Sequence, residues 1–175
     1  MKIGIDLGGT KTEAILLDNT GKEIFRKRID TIKNYKGTIE GIKLLVDEIE
    51  KNYQKVESVG IGMPGIVSKE TSLVKNANSI WLNGNPLKKD LTKYLNREVN
   101  IENDANCFAL SEAVDGAGKD YKVIFGVIIG TGTGGGIIIN KKIIQGMNQI
   151  GGEWGHTPLP NRTLDDKKYS SPCFC

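Results

Sequence analysis

The sequence is poor in the residues that build disulfide scaffolds and metal frameworks, with one histidine and three cysteines among 175 residues. An odd cysteine count in a chain of this size excludes a disulfide framework. Long apolar runs are also missing. The longest, near Val123–Ile129 and Ile137–Ile139, are strand-sized and fall well short of the ~20 residues that cross a bilayer. Nor is there an excess of one charge: 24 Lys and Arg against 21 Asp and Glu leave +3. That balance is too mild for nucleic acid or an anionic membrane as the main partner. Met1-Lys2 leads straight into Ile3-Gly4-Ile5-Asp6, so no signal or transit peptide is expected, and the expected compartment is the cytoplasm.

What is present reads as a globular α/β chain. Hydrophobic residues make up 38% and charged residues 26%, enough apolar surface to offset the ordering entropy of a folded core. Two apolar runs, Lys2–Asp6 and Glu13–Leu17, flank Gly8-Gly9-Thr10, and a third, Glu23–Ile29, follows the turn at Asn19-Thr20-Gly21. The three read as an antiparallel meander. Ile42, Leu45, Val46, Ile49 and Tyr53 then follow helical spacing across 38–53. Val56–Ile61 reads as a strand that ends at Gly62-Met63-Pro64-Gly65, where an irregular backbone is expected. Residues 68–85 are polar and turn-rich. Pro86 opens a short helix with Leu87, Leu91 and Leu95 on one face.

Val99–Ile101 is expected as a strand and Asp104–Val114 as a helix apolar on most sides, hence buried, with Cys107 as a small buried hydrophobe. Ala117-Gly118-Lys119 is the expected linker. Beyond it come strand Val123–Ile129, a glycine cluster at 130–136 and strand Ile137–Ile139. This order predicts a mixed five-stranded sheet with helices over 1–117, and the beginning of a second similar domain over 118–175. The ending Cys173-Phe174-Cys175 gives the further expectation that the sequence stops inside a longer protein.

Four stretches carry chemistry. Asp6-Leu7-Gly8-Gly9-Thr10-Lys11 joins two strands. Its glycines allow backbone N–H groups to approach an anion, Thr10 and Lys11 add a hydroxyl and a charge, and Asp6 suits a hydrated Mg²⁺. A plain hairpin turn is the other reading. Gly130-Thr131-Gly132-Thr133-Gly134-Gly135-Gly136 repeats the device, at a cost in strand stability that a phosphate cradle explains, a flexible turn being the other reading. Glu102-Asn103-Asp104 lies where a strand gives way to a helix. Asn103 or Asp104 serves there as a helix cap, or Asp104 accepts a proton from a substrate hydroxyl. In Gly152-Glu153-Trp154-Gly155-His156, the single histidine is an ordinary structural residue or, with Cys173 and Cys175, part of a zinc site that still wants a fourth ligand.

DLGGTKTE at 6–13, VGIGMPG at 59–65, ENDAN at 102–106, GTGTGGG at 130–136 and GEWGH at 152–156 together resemble the ROK family of bacterial sugar kinases. The resemblance implies the actin-like (ribonuclease H-like) ATPase fold and transfer of the γ-phosphate of ATP to the 6-hydroxyl of a hexose, with Asp104 as general base. It implies sugar contacts from Gly65, Asn78, Asn103, Glu153 and His156. Nucleotide phosphates and Mg²⁺ fall to Asp6, Gly8, Gly9, Thr10 and Lys11, and to Gly130, Thr131, Gly132, Thr133 and Gly134. A structural Zn²⁺ falls to His156, Cys173 and Cys175, and the complete protein is implied to be a homodimer.

The residues around Trp81, with Ser111–Gly116, look similar to the manno(fructo)kinase branch, so fructose or mannose is the expected acceptor. The alternatives are an N-acetylglucosamine or glucose kinase, or an inactive remnant, since the family cysteine cluster continues beyond its second cysteine. A DNA-binding repressor of the family is not expected, because the first strand begins at Ile3.

Overall fold

The computed structural model describes residues 1–130, 132–157, 160–161 and 163–168, and the side chains of His156, Lys167 and Lys168 also lie outside the described part. The chain divides into two compact units, Met1–Asp104 and a second beginning at Ala105.

In the first unit β1 (Lys2–Leu7), β2 (Lys11–Leu17) and β3 (Glu23–Asp30) form the expected meander. α1 (Tyr35–Asn52) follows, then β4 (Ser58–Met63), a two-residue hairpin of β5 (Ile66–Val67) and β6 (Val74–Lys75), α2 (Leu87–Leu95) and β7 (Glu98–Asn103). The strands order as β3-β2-β1-β4-β7, with β1, β4 and β7 parallel. This is the mixed five-stranded sheet expected from the sequence.

One sheet face carries the core. Ile3, Ile5, Leu7, Ala14, Leu16, Val59, Ile61, Met63 and Val99 point into it, against Ile42, Leu45, Val46 and Ile49 of α1 and Leu87, Leu91 and Leu95 of α2. Each fully buried aliphatic side chain contributes about 1.5–3 kcal/mol, so alternation in the strands and the i, i+3/i+4 stripe in the helices account for the layering. α1 starts where the Asn34 side chain accepts the Gly37 N–H at 2.7 Å. α2 stops at Asn96, which adopts a left-handed conformation at φ 50°. Arg97, whose side chain is 8% exposed, ties α1 to the segment leading into β4 through an ion pair with Glu50 and a 3.1 Å bond to the Val56 carbonyl.

α3 (Asp104–Val114) leads into the second unit, with β8 (Val123–Ile129), β9 (Thr133–Ile139), β10 (Lys142–Ile143) and α4 (Leu164–Lys168). Its sheet orders β10-β9-β8, all antiparallel. Three expectations are corrected here. α3 is buried along one side only, at Ala105, Asn106, Ala109 and Ala113, whereas Phe108 and Val114 are exposed and Cys107 is half-buried. The segment Ala117-Gly118-Lys119 is not a free linker: the Ala117 N–H bonds the Glu112 carboxylate at 2.8 Å and the Gly118 N–H bonds the Glu112 carbonyl at 2.8 Å, closing the end of α3. The glycine cluster is mostly strand, because β9 begins at Thr133 and pairs Gly134, Gly135 and Gly136 with Ile128, Val127 and Gly126. A Cβ on either Gly136 or Gly126 would sit 2.7 Å from Ala109 Cβ, so these two glycines let the sheet lie directly on α3.

Candidate functional site

In the first unit the residues singled out from the sequence collect at one end of the parallel strands. Asp6 is the penultimate residue of β1, Gly65 lies two residues beyond β4, and Asn103 ends β7 with Asp104 opening α3. The carboxyl ends of parallel strands are where open α/β sheets bind ligands, because the chain turns away there and leaves a crevice.

The Gly8–Lys11 turn is built to hold its backbone open. The Gly8 N–H closes on the Lys11 carbonyl at 3.0 Å, and the Thr31 N–H on the Thr10 carbonyl at 2.9 Å. Below them runs a relay of two buried hydroxyls: Thr12 donates to Thr31 at 2.8 Å, and Thr31 donates to the Gly8 carbonyl at 2.9 Å. The N–H groups of Gly9 and Thr10 have no partner among the described residues. Two adjacent free amides on a rigid turn form an anion-binding concavity. The Lys11 ammonium pairs with Asp30 at the exposed edge of this turn.

Strand register sets the electrostatics. Arg28, Glu13, Asp6, Gly62 and Glu102 form one row across the five strands. Arg28 and Arg26 both bind Glu13 and hold its carboxyl below the ordinary range through those hydrogen bonds. Asp6 behaves oppositely. Although it keeps contact with solvent, the protein around it desolvates its carboxyl and pushes it up. The charges of Asp104 and Glu13 push the same way, and Arg28 opposes them. A site short of positive charge beside open amides fits a divalent cation, which needs only one or two carboxylates when phosphate oxygens and water complete its shell. The row of charges became visible only with the register, which no motif encodes.

The other wall comes from Gly65, Asn78 and Asn103. Gly65 has φ +91°, and a Cβ there would lie 2.7 Å from Ala77 N and 2.8 Å from Lys75 O. Only glycine lets the loop after β4 pass this close to the segment carrying Asn78. The Asn103 amide donates to the Gly65 carbonyl at 3.4 Å, and the Asn103 N–H bonds the Glu102 carboxylate at 2.9 Å. Asn78 is exposed, whereas Ser79 beside it is 2% exposed, its hydroxyl unpartnered among the described residues. Asp104 stands in the first turn of α3, where the helix dipole favours a carboxylate. Capping and proton acceptance are compatible roles for it.

In the second unit, Gly130 N–H bonds the Gly132 carbonyl at 2.9 Å in the turn between β8 and β9. Trp154 fixes the neighbouring strand: its indole N–H donates to the Gly134 carbonyl at 2.8 Å, and its ring meets Phe125 edge-on at 6.4 Å. Glu153 is half-buried just before the short 3-10 turn Trp154–His156. Thr131, Cys173, Cys175 and the His156 side chain lie outside the described residues, so the zinc expectation does too. Among the described residues no group of three or more His, Cys, Asp or Glu is placed to hold a metal ion, and no helix is long and apolar enough to cross a membrane.

Comparison with known proteins follows the same lines. The sequence model of the ROK family matches residues 2–175. The N-acetyl-D-glucosamine kinase of Yersinia pestis bv. Antiqua (strain Nepal516) is 42% identical over 166 residues, covering 94% of this chain and 65% of that protein. The N-acetyl-D-glucosamine kinase of Salmonella newport (strain SL254) is 41% identical over 179 residues, covering 100% of this chain and 59% of its own length. A ROK family glucokinase from Streptomyces griseus, solved in complex with glucose and AMPPNP, matches with TM-score 0.79 and 34% identity over 89% of this chain and 49% of that one. The chain thus spans 55–65% of the length of the curated relatives it matches. These curated relatives are N-acetylglucosamine kinases, so the manno(fructo)kinase branch expected from the residues around Trp81 finds no support in them.

Proposed function

The chain belongs to the ROK family, and from that premise we propose that it carries the acceptor site and both phosphate turns of an ATP-dependent hexose kinase of actin-like fold. The observation that supports this most is the grouping, at the carboxyl ends of β1, β4 and β7, of an open-amide turn with Asp6, Asn103 and Asp104. An anion cradle alone would fit many nucleotide-binding proteins. A carboxylate flanked by amide side chains is what a polyhydroxylated acceptor adds to the requirement.

In this reading the amides of Asn78 and Asn103, with the backbone at Gly65, hold sugar hydroxyls, a role that the family resemblance also gives to Glu153 and His156. Asp104 takes the proton of the 6-hydroxyl as that oxygen bonds to the γ-phosphorus of ATP. The bond from phosphorus to the bridging oxygen breaks and ADP leaves. Phosphoryl transfer asks little covalent chemistry of a protein, so most of the acceleration comes from positioning and from neutralising phosphate charge. The N–H groups of Gly9 and Thr10 serve that end, together with Gly130, Thr131, Gly132, Thr133 and Gly134. Held by Asp6 and phosphate oxygens, Mg²⁺ would supply the remaining positive charge. Zinc is assigned to residues outside the described part, and no step draws on it.

The acceptor is decided by a few hydroxyl and N-acetyl contacts. Fructose and mannose follow from the residues around Trp81, and N-acetylglucosamine from what the curated relatives are named for. ADP release measured with fructose, mannose, glucose and N-acetylglucosamine tests the proposal. Sugar-dependent ADP release supports it and ranks the acceptors. Sugar binding without turnover supports the inactive-remnant alternative, and the absence of both binding and turnover refutes the acceptor site.

A further inference from the structure

Asn83 has no role assigned to it by the sequence motifs, yet its side chain makes two hydrogen bonds in the loop between β6 and α2. Its Oδ1 accepts the Ala77 N–H at 2.9 Å and its Nδ2 donates to the Ala77 carbonyl at 3.0 Å. One amide therefore completes both backbone groups of a residue that is 5% exposed, in the way a neighbouring strand would. From the other side, Gly65 packs so near Ala77 that a Cβ would lie 2.7 Å from its nitrogen. Ala77 is gripped between the two, and the next residue is Asn78, exposed and with no hydrogen bond among the described residues.

Asn83 is itself fixed. The Asn85 side chain donates to the carbonyls of Trp81 at 3.1 Å and Asn83 at 3.3 Å, and the Trp81 indole N–H reaches the Thr38 hydroxyl at 3.0 Å. Backbone bonds from Val74 to Asn85 at 3.0 Å and from Gly84 to Val74 at 2.8 Å close the loop base. The loop is irregular but rigid, and all of this bonding converges on one exposed amide.

We infer that Asn83 is a positioning residue for acceptor binding: by clamping Ala77 it holds the Asn78 amide at the height of Asn103 and Gly65, and so acts on sugar affinity through Asn78. This rests on the proposed acceptor reading of Asn78. A free asparagine on a mobile loop would have to be ordered as each sugar arrived, a cost that the clamp meets during folding.

The test compares wild-type chain, Asn83→Ala and Asn83→Asp by calorimetric titration with the four hexoses and with Mg·ADP, alongside hydrogen exchange at the Ala77 amide. Asn83→Ala should weaken hexose binding at least tenfold, leave Mg·ADP affinity within twofold, and release the Ala77 amide to exchange. Asn83→Asp keeps an acceptor for the Ala77 N–H but loses the donor, and should fall between; it carries the comparison where the alanine variant does not fold. Hexose binding by either folded variant within twofold of wild type overturns the inference. If the wild-type chain binds no hexose, the acceptor reading fails and the role of Asn83 in acceptor binding fails with it. Ala77 exchange in the variants then shows whether the clamp itself was also misread.

Discussion

Replacing Gly65 by alanine is the sharpest structural challenge to the site. A non-glycine residue at φ +91° meets the steric cost of the left-handed region, about 1–2 kcal/mol. The new Cβ would also lie 2.7 Å from Ala77 N, 2.8 Å from Ala77 Cα and 2.8 Å from Lys75 O. All three are backbone atoms, so no side-chain rotation relieves the clash, and overpacking of this kind costs about 1–3 kcal/mol. Together the two effects amount to about 2–5 kcal/mol, a large part of the 5–15 kcal/mol typical of a domain. With a mid-range urea slope of about 2 kcal/mol per molar, the denaturation midpoint should fall by roughly 1–2.5 M.

Gly84→Ala is the matched control. Its φ is +76° and nothing lies within 4 Å of the added Cβ, so only the conformational cost applies. Gly65→Ala should therefore be less stable than Gly84→Ala by more than about 1 kcal/mol. Equal midpoints would refute the close approach of Gly65 to Ala77, and the second wall of the site with it.

Two further changes probe the supports. Thr31→Val removes the middle of the Thr12–Thr31–Gly8 relay and should cost about 1–3 kcal/mol by leaving polar groups unpaired; an unchanged melting temperature would mean the relay contributes nothing. Arg97 holds the Glu50 carboxyl below its ordinary range, chiefly by hydrogen bonding. That stabilisation is fully present above the unfolded-state value and is lost as pH falls through the lower folded value. Glu50→Gln should be less stable than wild type at neutral pH and lose less of its stability on acidification. Parallel stability–pH curves for the two proteins would contradict the pairing.

Period and turn chemistry made much of the fold legible before any coordinates. The aliphatic stripes of α1 and α2, the alternation in β1 and β2, and the strand-to-helix switch at Asp104 follow from local rules that the tertiary structure obeys. Where packing decides, reading failed. Glycines at 134–136 resemble a turn in sequence, yet they pair in β9, where Gly136 lies against α3 and Gly135 against the Gly152 carbonyl. Phe108 and Val114 sit in an apolar helix and are exposed, since helical composition does not say which faces have partners. Motifs singled out Asp6, Gly65, Asn78, Asn103 and Asp104 as candidates, and Asp6, Gly65, Asn103 and Asp104 gather at the carboxyl ends of the parallel strands. The Arg28–Glu13–Asp6 row depended on register, the Lys11–Asp30 pair on side-chain direction, and Asn83 on a contact six residues back. None of these has a local signature.

The most direct test of the central claim is hexose-dependent ADP release by the wild-type protein and by Asp104→Asn at matched melting temperature. If Asp104 takes the proton of the acceptor hydroxyl, the substitution should lower turnover by about 10²–10⁴-fold while sugar affinity changes little. Turnover within tenfold of wild type, in a folded Asp104→Asn protein that still binds sugar, would contradict the account.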